Sequence, residues 1–76
     1  MPTVVRLSKS KICMYPADHN PPHFHILAND GKQCLVQIGT LGVLQGSVSA
    51  AARGEALAWA EQNAAALVAL WTELNP

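Results

Sequence analysis

Charge is scarce in this 76-residue chain: Lys and Arg number five, Asp and Glu five, and the formal net charge is zero. That balance leaves no global basic footprint for nucleic acid, and a chain that is 50% hydrophobic is not a disordered tail. No window approaches the roughly 18 continuous apolar residues of a membrane span, and the N-terminus lacks a basic stretch leading into a long apolar run. These absences predict a cytoplasmic protein with no membrane association. Cys13 and Cys34 are the only cysteines and do not form a Cys-x-x-Cys pair, so they are expected to be reduced, buried and small rather than a disulfide. No internal repeat or low-complexity linker divides the chain, and residues 1–76 are expected to form one small domain. A domain of that size buries only about 60% of its unfolded surface, which favours a homo-oligomer or a protein partner.

What charge there is lies unevenly. Residues 1–38 carry Arg6, Lys9, Lys11 and Lys32 against Asp18 and Asp30, a net of +2, whereas residues 39–76 carry Arg53 against Glu55, Glu61 and Glu73, a net of −2. All three histidines lie in the basic half, within Asp18-His19-Asn20-Pro21-Pro22-His23-Phe24-His25.

The pattern of residues predicts an α+β domain, a small antiparallel sheet of about four strands followed by a C-terminal helix or helix pair packed on one face. Val4–Leu7 and Ile12–Tyr15 read as a first hairpin, and the two prolines make residues 16–22 a stiff connection. His23–Ala28 and Gln33–Ile38 read as a second hairpin around Asn29-Asp30-Gly31. A two-residue turn would mix apolar and polar side chains on both faces. A three-residue loop with Gly31 left-handed instead sets Ala28 opposite Lys32 and collects Phe24, Ile26, Ala28, Cys34, Val36 and Ile38 on one face. His23, His25, Leu27, Gln33, Leu35 and Gln37 then share the other, outer or cleft-facing side. Gly39–Gly42 reads as a turn and Val43–Leu44 as a short further strand. Ser49 is a plausible N-cap, after which Leu57, Ala60, Ala64, Leu67, Trp71 and Leu74 recur at helical spacing, with Asn63 placed to divide the helix in two. Trp59 and Leu70 fall off that seam and are expected to need cover from a second copy or a partner.

Residues two apart on a strand point the same way, so His23 and His25 present their imidazoles together and His19 can fold over to meet them. Three readings follow. The first is a divalent transition-metal site formed by His19, His23 and His25, with Asp18 as fourth ligand or as acceptor from a ring N–H. The second is proton transfer, His19, His23 and His25 acting as acid and base with Asp18 orienting them. That is enough to cleave RNA through its own 2′-hydroxyl, and Arg6, Lys9, Lys11 and Lys32 would hold the phosphates. The third is structural or recognitional: the segment is a rigid corner anchored by Phe24, or a surface that a partner reads.

Met14-Tyr15, the Asp-His-Asn-Pro-Pro-His-Phe-His string and a helical end carrying Trp59-Ala60-Glu61 and Leu67–Trp71 resemble the bacterial domain of unknown function 4160 family, over nearly the whole chain. The resemblance implies the toxin component of a toxin–antitoxin module, with a small neighbouring protein as antitoxin; joined to the proton-transfer reading, such a toxin would act on RNA or nucleotides through the histidine cluster. The chain departs from the family pattern in its bland helical half, where Ala50–Ala52 and Ala64–Ala66 replace charge.

Overall fold

A computed structural model describes residues 3–18 and 20–76. Five strands, β1 (Thr3–Arg6), β2 (Ser10–Cys13), β3 (His23–Ala28), β4 (Gln33–Gln37) and β5 (Val43–Gly46), form one antiparallel sheet in chain order. Two helices follow, α1 (Ala50–Gln62) and α2 (Ala64–Leu74). The architecture is the α+β arrangement expected, with five strands rather than about four. β2 lies two residues earlier than its apolar run suggests, because Ser10 and Lys11 pair with Ala28 and Leu27 and so extend the ladder along the whole of β3.

The second hairpin closes as its pattern requires. The Ala28 amide bonds the Lys32 carbonyl at 2.8 Å, and Gly31 sits at φ +91°, a left-handed position that glycine takes without steric cost. Phe24 opposes Val36 and Ile26 opposes Cys34, and all four are buried. Their face, with Ile12 and Met14, packs on Ala52, Ala56 and Ala60 of α1 and on Leu67 and Trp71 of α2. Alanines at every fourth position let α1 approach the sheet closely, so its buried stripe is Ala52–Ala56–Ala60 rather than the Leu57–Ala60–Ala64 seam.

That seam assumes one continuous helix. Asn63 interrupts it: at φ −124° and ψ 24° its side chain bonds the Trp59 carbonyl at 2.8 Å, closing α1 and resetting the face that α2 presents. Ser49 caps α1, its Oγ accepting from the Ala52 amide at 3.2 Å. Glu55 of α1 ties the helix to the β1–β2 turn by accepting from Ser8 Oγ and from the Lys9 amide. Both cysteines are free and buried. Trp59 and Leu70 are partly buried against the core, and the exposed large apolar side chains are instead Val43, Leu44 and Val68. Among the described residues no helix is long and apolar enough to cross a membrane.

Candidate functional site

The site lies where β3 begins and is built by three segments: β3, the 14–22 connection and the C-terminal end of α2. The connection is drawn against α2 by backbone bonds, Ala17 N to the Leu74 carbonyl at 3.3 Å and Asp18 N to Asn75 Oδ1 at 2.7 Å. Ala17 adopts φ +56°, a left-handed conformation that costs a non-glycine residue about 1–2 kcal/mol. With those two bonds it turns the chain so that Asp18 faces the start of β3. Asn75 is itself held by α2, its Nδ2 donating to the Trp71 carbonyl at 3.2 Å.

Alternation along β3 brings His23 and His25 to the same side, and the Asp18 carboxylate lies against both. Its Oδ2 is 3.0 Å from His23 Nε2 and 3.3 Å from His25 Nε2. The two imidazole centroids are 5.3 Å apart. His23 Nδ1 lies 2.8 Å from the Pro21 carbonyl. A carbonyl only accepts, so Nδ1 carries the proton, and Nε2 is the nitrogen turned to Asp18. Asp18, His23 and His25 each offer a ligand atom, and these atoms all lie within 4.8 Å of one another.

Aromatic rings wall the cluster. Trp71 of α2 lies 5.2 Å from the His23 ring, and Tyr15 meets the His25 ring edge-on at 4.6 Å. Burial raises the Tyr15 phenol above its ordinary pKa, with Cys13 and Asp18 adding to the effect. On the solvent side an open cleft of about 350 Å³ is lined by Asp18, Asn20, Trp71, Leu74 and Asn75.

Of the residues singled out from the sequence, His23, His25 and Asp18 come together, and His19 lies outside the described residues. His23 does share the face of His25, away from Phe24 and Ile26. Only 2% exposed, it is covered because the end of α2 folds over the start of β3, a contact no strand pattern can announce. The four cations of the basic half do not line the cluster. Lys9 and Lys32 occupy turns at the far end of the sheet, about 16 Å along β3 from His23. Arg6 and Lys11 face each other on β1 and β2, with Lys11 opposite Leu27, two residues along β3 from His25.

Tyr15, Trp71 and Asn75 are neighbours of the site to which the sequence reading assigned no role there. Tyr15 does carry a local signal, as the aromatic end of the apolar run Ile12–Tyr15 that leads into the histidine string. Trp71 and Asn75 carry no local signal, being about 50 residues from the histidines in the chain.

A family model described as "Domain of unknown function (DUF4160)" matches residues 10–72, which include every group of the cluster. No curated protein and no solved structure matches the chain.

Proposed function

Since the chain belongs to the DUF4160 family, whose description assigns no activity, we propose from the geometry of the site that it binds a divalent transition metal through His23 Nε2, His25 Nε2 and the Asp18 carboxylate. The observation that carries this reading is that one ligand atom from each of these three residues lies within 4.8 Å of the others, with Asp18 Oδ2 next to both Nε2 atoms. Bonds of about 2.0–2.2 Å to imidazole nitrogen and carboxylate oxygen put neighbouring ligand atoms about 2.8–3.6 Å apart, the short end at octahedral and the long end at tetrahedral angles. The two His–Asp separations, 3.0 and 3.3 Å, fall in that range.

The orientation of His23 supports the same conclusion. A ligating imidazole usually donates its second N–H to a carbonyl or carboxylate, which fixes the tautomer, and the Pro21 carbonyl is placed to accept it. Two imidazoles and one carboxylate suit iron, manganese, nickel or zinc and leave coordination positions for water or substrate. A metal so held supplies Lewis acidity and a water of lowered pKa. The chain contributes position: Asn75 anchors the Asp18 amide, Trp71 excludes water behind His23, and the cleft beside Asp18 admits a ligand. Calorimetric titration of chelator-treated protein with Zn²⁺, Mn²⁺ or Ni²⁺ tests the reading. One site per chain is expected, weakened more than roughly a hundredfold in Asp18→Asn, which is more than loss of an outer-shell contact costs.

A second reading is favoured by the position of Asp18 Oδ2 between the two rings: a carboxylate orienting a metal-free acid–base pair. Under it, turnover survives chelation. A toxin role, which the family resemblance implies, predicts growth arrest on induced expression that Asp18→Asn relieves and that a neighbouring antitoxin-like protein suppresses.

A further inference from the structure

Strand register arranges the side chains opposite the helices in cross-strand rows. Thr3, Cys13, His25, Leu35 and Gln45 form one row. The next, two residues along β2, β3 and β4 and three along β1, where a bulge adds one, is Arg6, Lys11, Leu27 and Gln33. Arg6 and Lys11 are therefore directly opposed like charges, a destabilising arrangement unless an anion sits between them. Among the described residues the close cation–carboxylate contacts fall to Asp18 and the histidines, and neither Arg6 nor Lys11 has a carboxylate of its own. None of the five strands contains Asp or Glu. A surface cleft of about 300 Å³ beside the pair is lined by Arg6, Leu7, Lys11, Leu27 and Asn29.

We propose that Arg6 and Lys11 are a phosphate-binding site, and that this face of the sheet carries a single-stranded nucleic acid whose path continues to His25 and Asp18. The rows are about 6.6 Å apart, so a strand held at the cation pair has only a short distance to run to His25. Gln33, Gln37 and Gln45 share the face and supply amides for base edges, while Leu27 and Leu35 give the bases apolar contact. A second copy of the chain fits this face poorly, because a two-fold interface here would bring the cation pairs toward each other. The phosphate site stands independently of the metal reading; only the strand's path to a reactive centre rests on it.

Fluorescence anisotropy with a labelled oligouridine, in chelator and across a salt series, tests the proposal. The wild-type protein binds, with affinity falling as salt rises. The Arg6→Gln/Lys11→Gln double variant binds at least tenfold more weakly at low salt, and its log–log salt slope is shallower by about 1.4, at ~0.7 per phosphate contact. Arg53→Gln, which removes one positive charge from α1, follows the wild type. An oligothymidine binding as well as oligouridine keeps the phosphate site and shows that the 2′-hydroxyl is not read. The proposal is overturned if the wild type shows no salt-dependent binding, if Arg53→Gln weakens it as much as the double variant does, or if inorganic pyrophosphate competes at the oligonucleotide's own concentration. Metal titration of the double variant separates this result from the reading of the site: one metal per chain is expected there whether or not the oligonucleotide binds.

Discussion

The two ends of β3 use polar residues for opposite purposes. At the Ala28 end they hold backbone: Asn29 Nδ2 donates to the Ser8 carbonyl at 3.0 Å, Asp30 Oδ1 accepts from the Lys32 amide at 3.0 Å, and Glu55 Oε1 accepts from the Lys9 amide at 3.0 Å. At the His23 end Asn75 and one nitrogen of His23 also hold backbone, but the remaining polar atoms hold one another, Asp18 lying against two imidazoles. The first end has the chemistry of turns, the second that of a site. Polar residues spent on backbone groups have little left for a ligand, whereas a carboxylate and two imidazoles with converging donor atoms are arranged for one.

The sharpest way to break the comparison is to remove the wall behind the histidines. Trp71→Ala should cost about 3–5 kcal/mol in denaturant unfolding, since the residue is only 7% exposed, and should also weaken metal binding by loosening His23. A stability loss with metal affinity unchanged would mean that α2 does not position the site. Next in size is Gly46, at φ +79°, where an added Cβ would come within 2.5 Å of the Gln33 carbonyl oxygen. Gly46→Ala should destabilise by about 1–3 kcal/mol while leaving metal stoichiometry unchanged, because β5 lies two strands away from the cluster.

The turns allow a reciprocal test. Gly31→Val puts a β-branched residue in the left-handed region and should cost roughly 1 kcal/mol or more. Ala17→Gly relieves the same kind of conformation at the other end and should be neutral or stabilising by up to about 1 kcal/mol. If both substitutions destabilise alike, Ala17 is not strained.

The smallest expected effect concerns Glu55. Its hydrogen bonds from Ser8 and from the Lys9 amide hold its carboxyl below the ordinary glutamate pKa. A depressed folded-state pKa contributes stability above the unfolded value and loses it as pH falls through the folded one. Glu55→Gln should therefore melt slightly below the wild type at neutral pH, with the gap closing under acid conditions. A gap independent of pH would assign the contact to packing.

These same regions show how much the chain discloses in advance. The Asn29–Gly31 turn is legible because register has only two options there, and only one keeps Phe24, Ile26, Cys34 and Val36 together. The division at Asn63 and the Ser49 cap are legible because they are local backbone chemistry. His23, His25 and Asp18 are visible as a cluster, through strand alternation and proximity in the chain. The burial of His23 and the anchoring of Asp18 are not, since Trp71 and Asn75 reach them only after the helices fold back. The face of α1 is missed for a related reason: a seam of larger side chains suggests one stripe, whereas close approach to the sheet selects alanines.

The central claim, that Asp18, His23 and His25 form a metal site, is tested most directly by elemental analysis of protein purified without a histidine tag. The account predicts about one first-row transition metal per chain, lost in both Asp18→Asn and His23→Ala while each variant keeps its circular-dichroism spectrum. Wild-type protein that stays metal-free after incubation with manganese, iron, nickel and zinc, or that holds the same metal content in both variants, would contradict it.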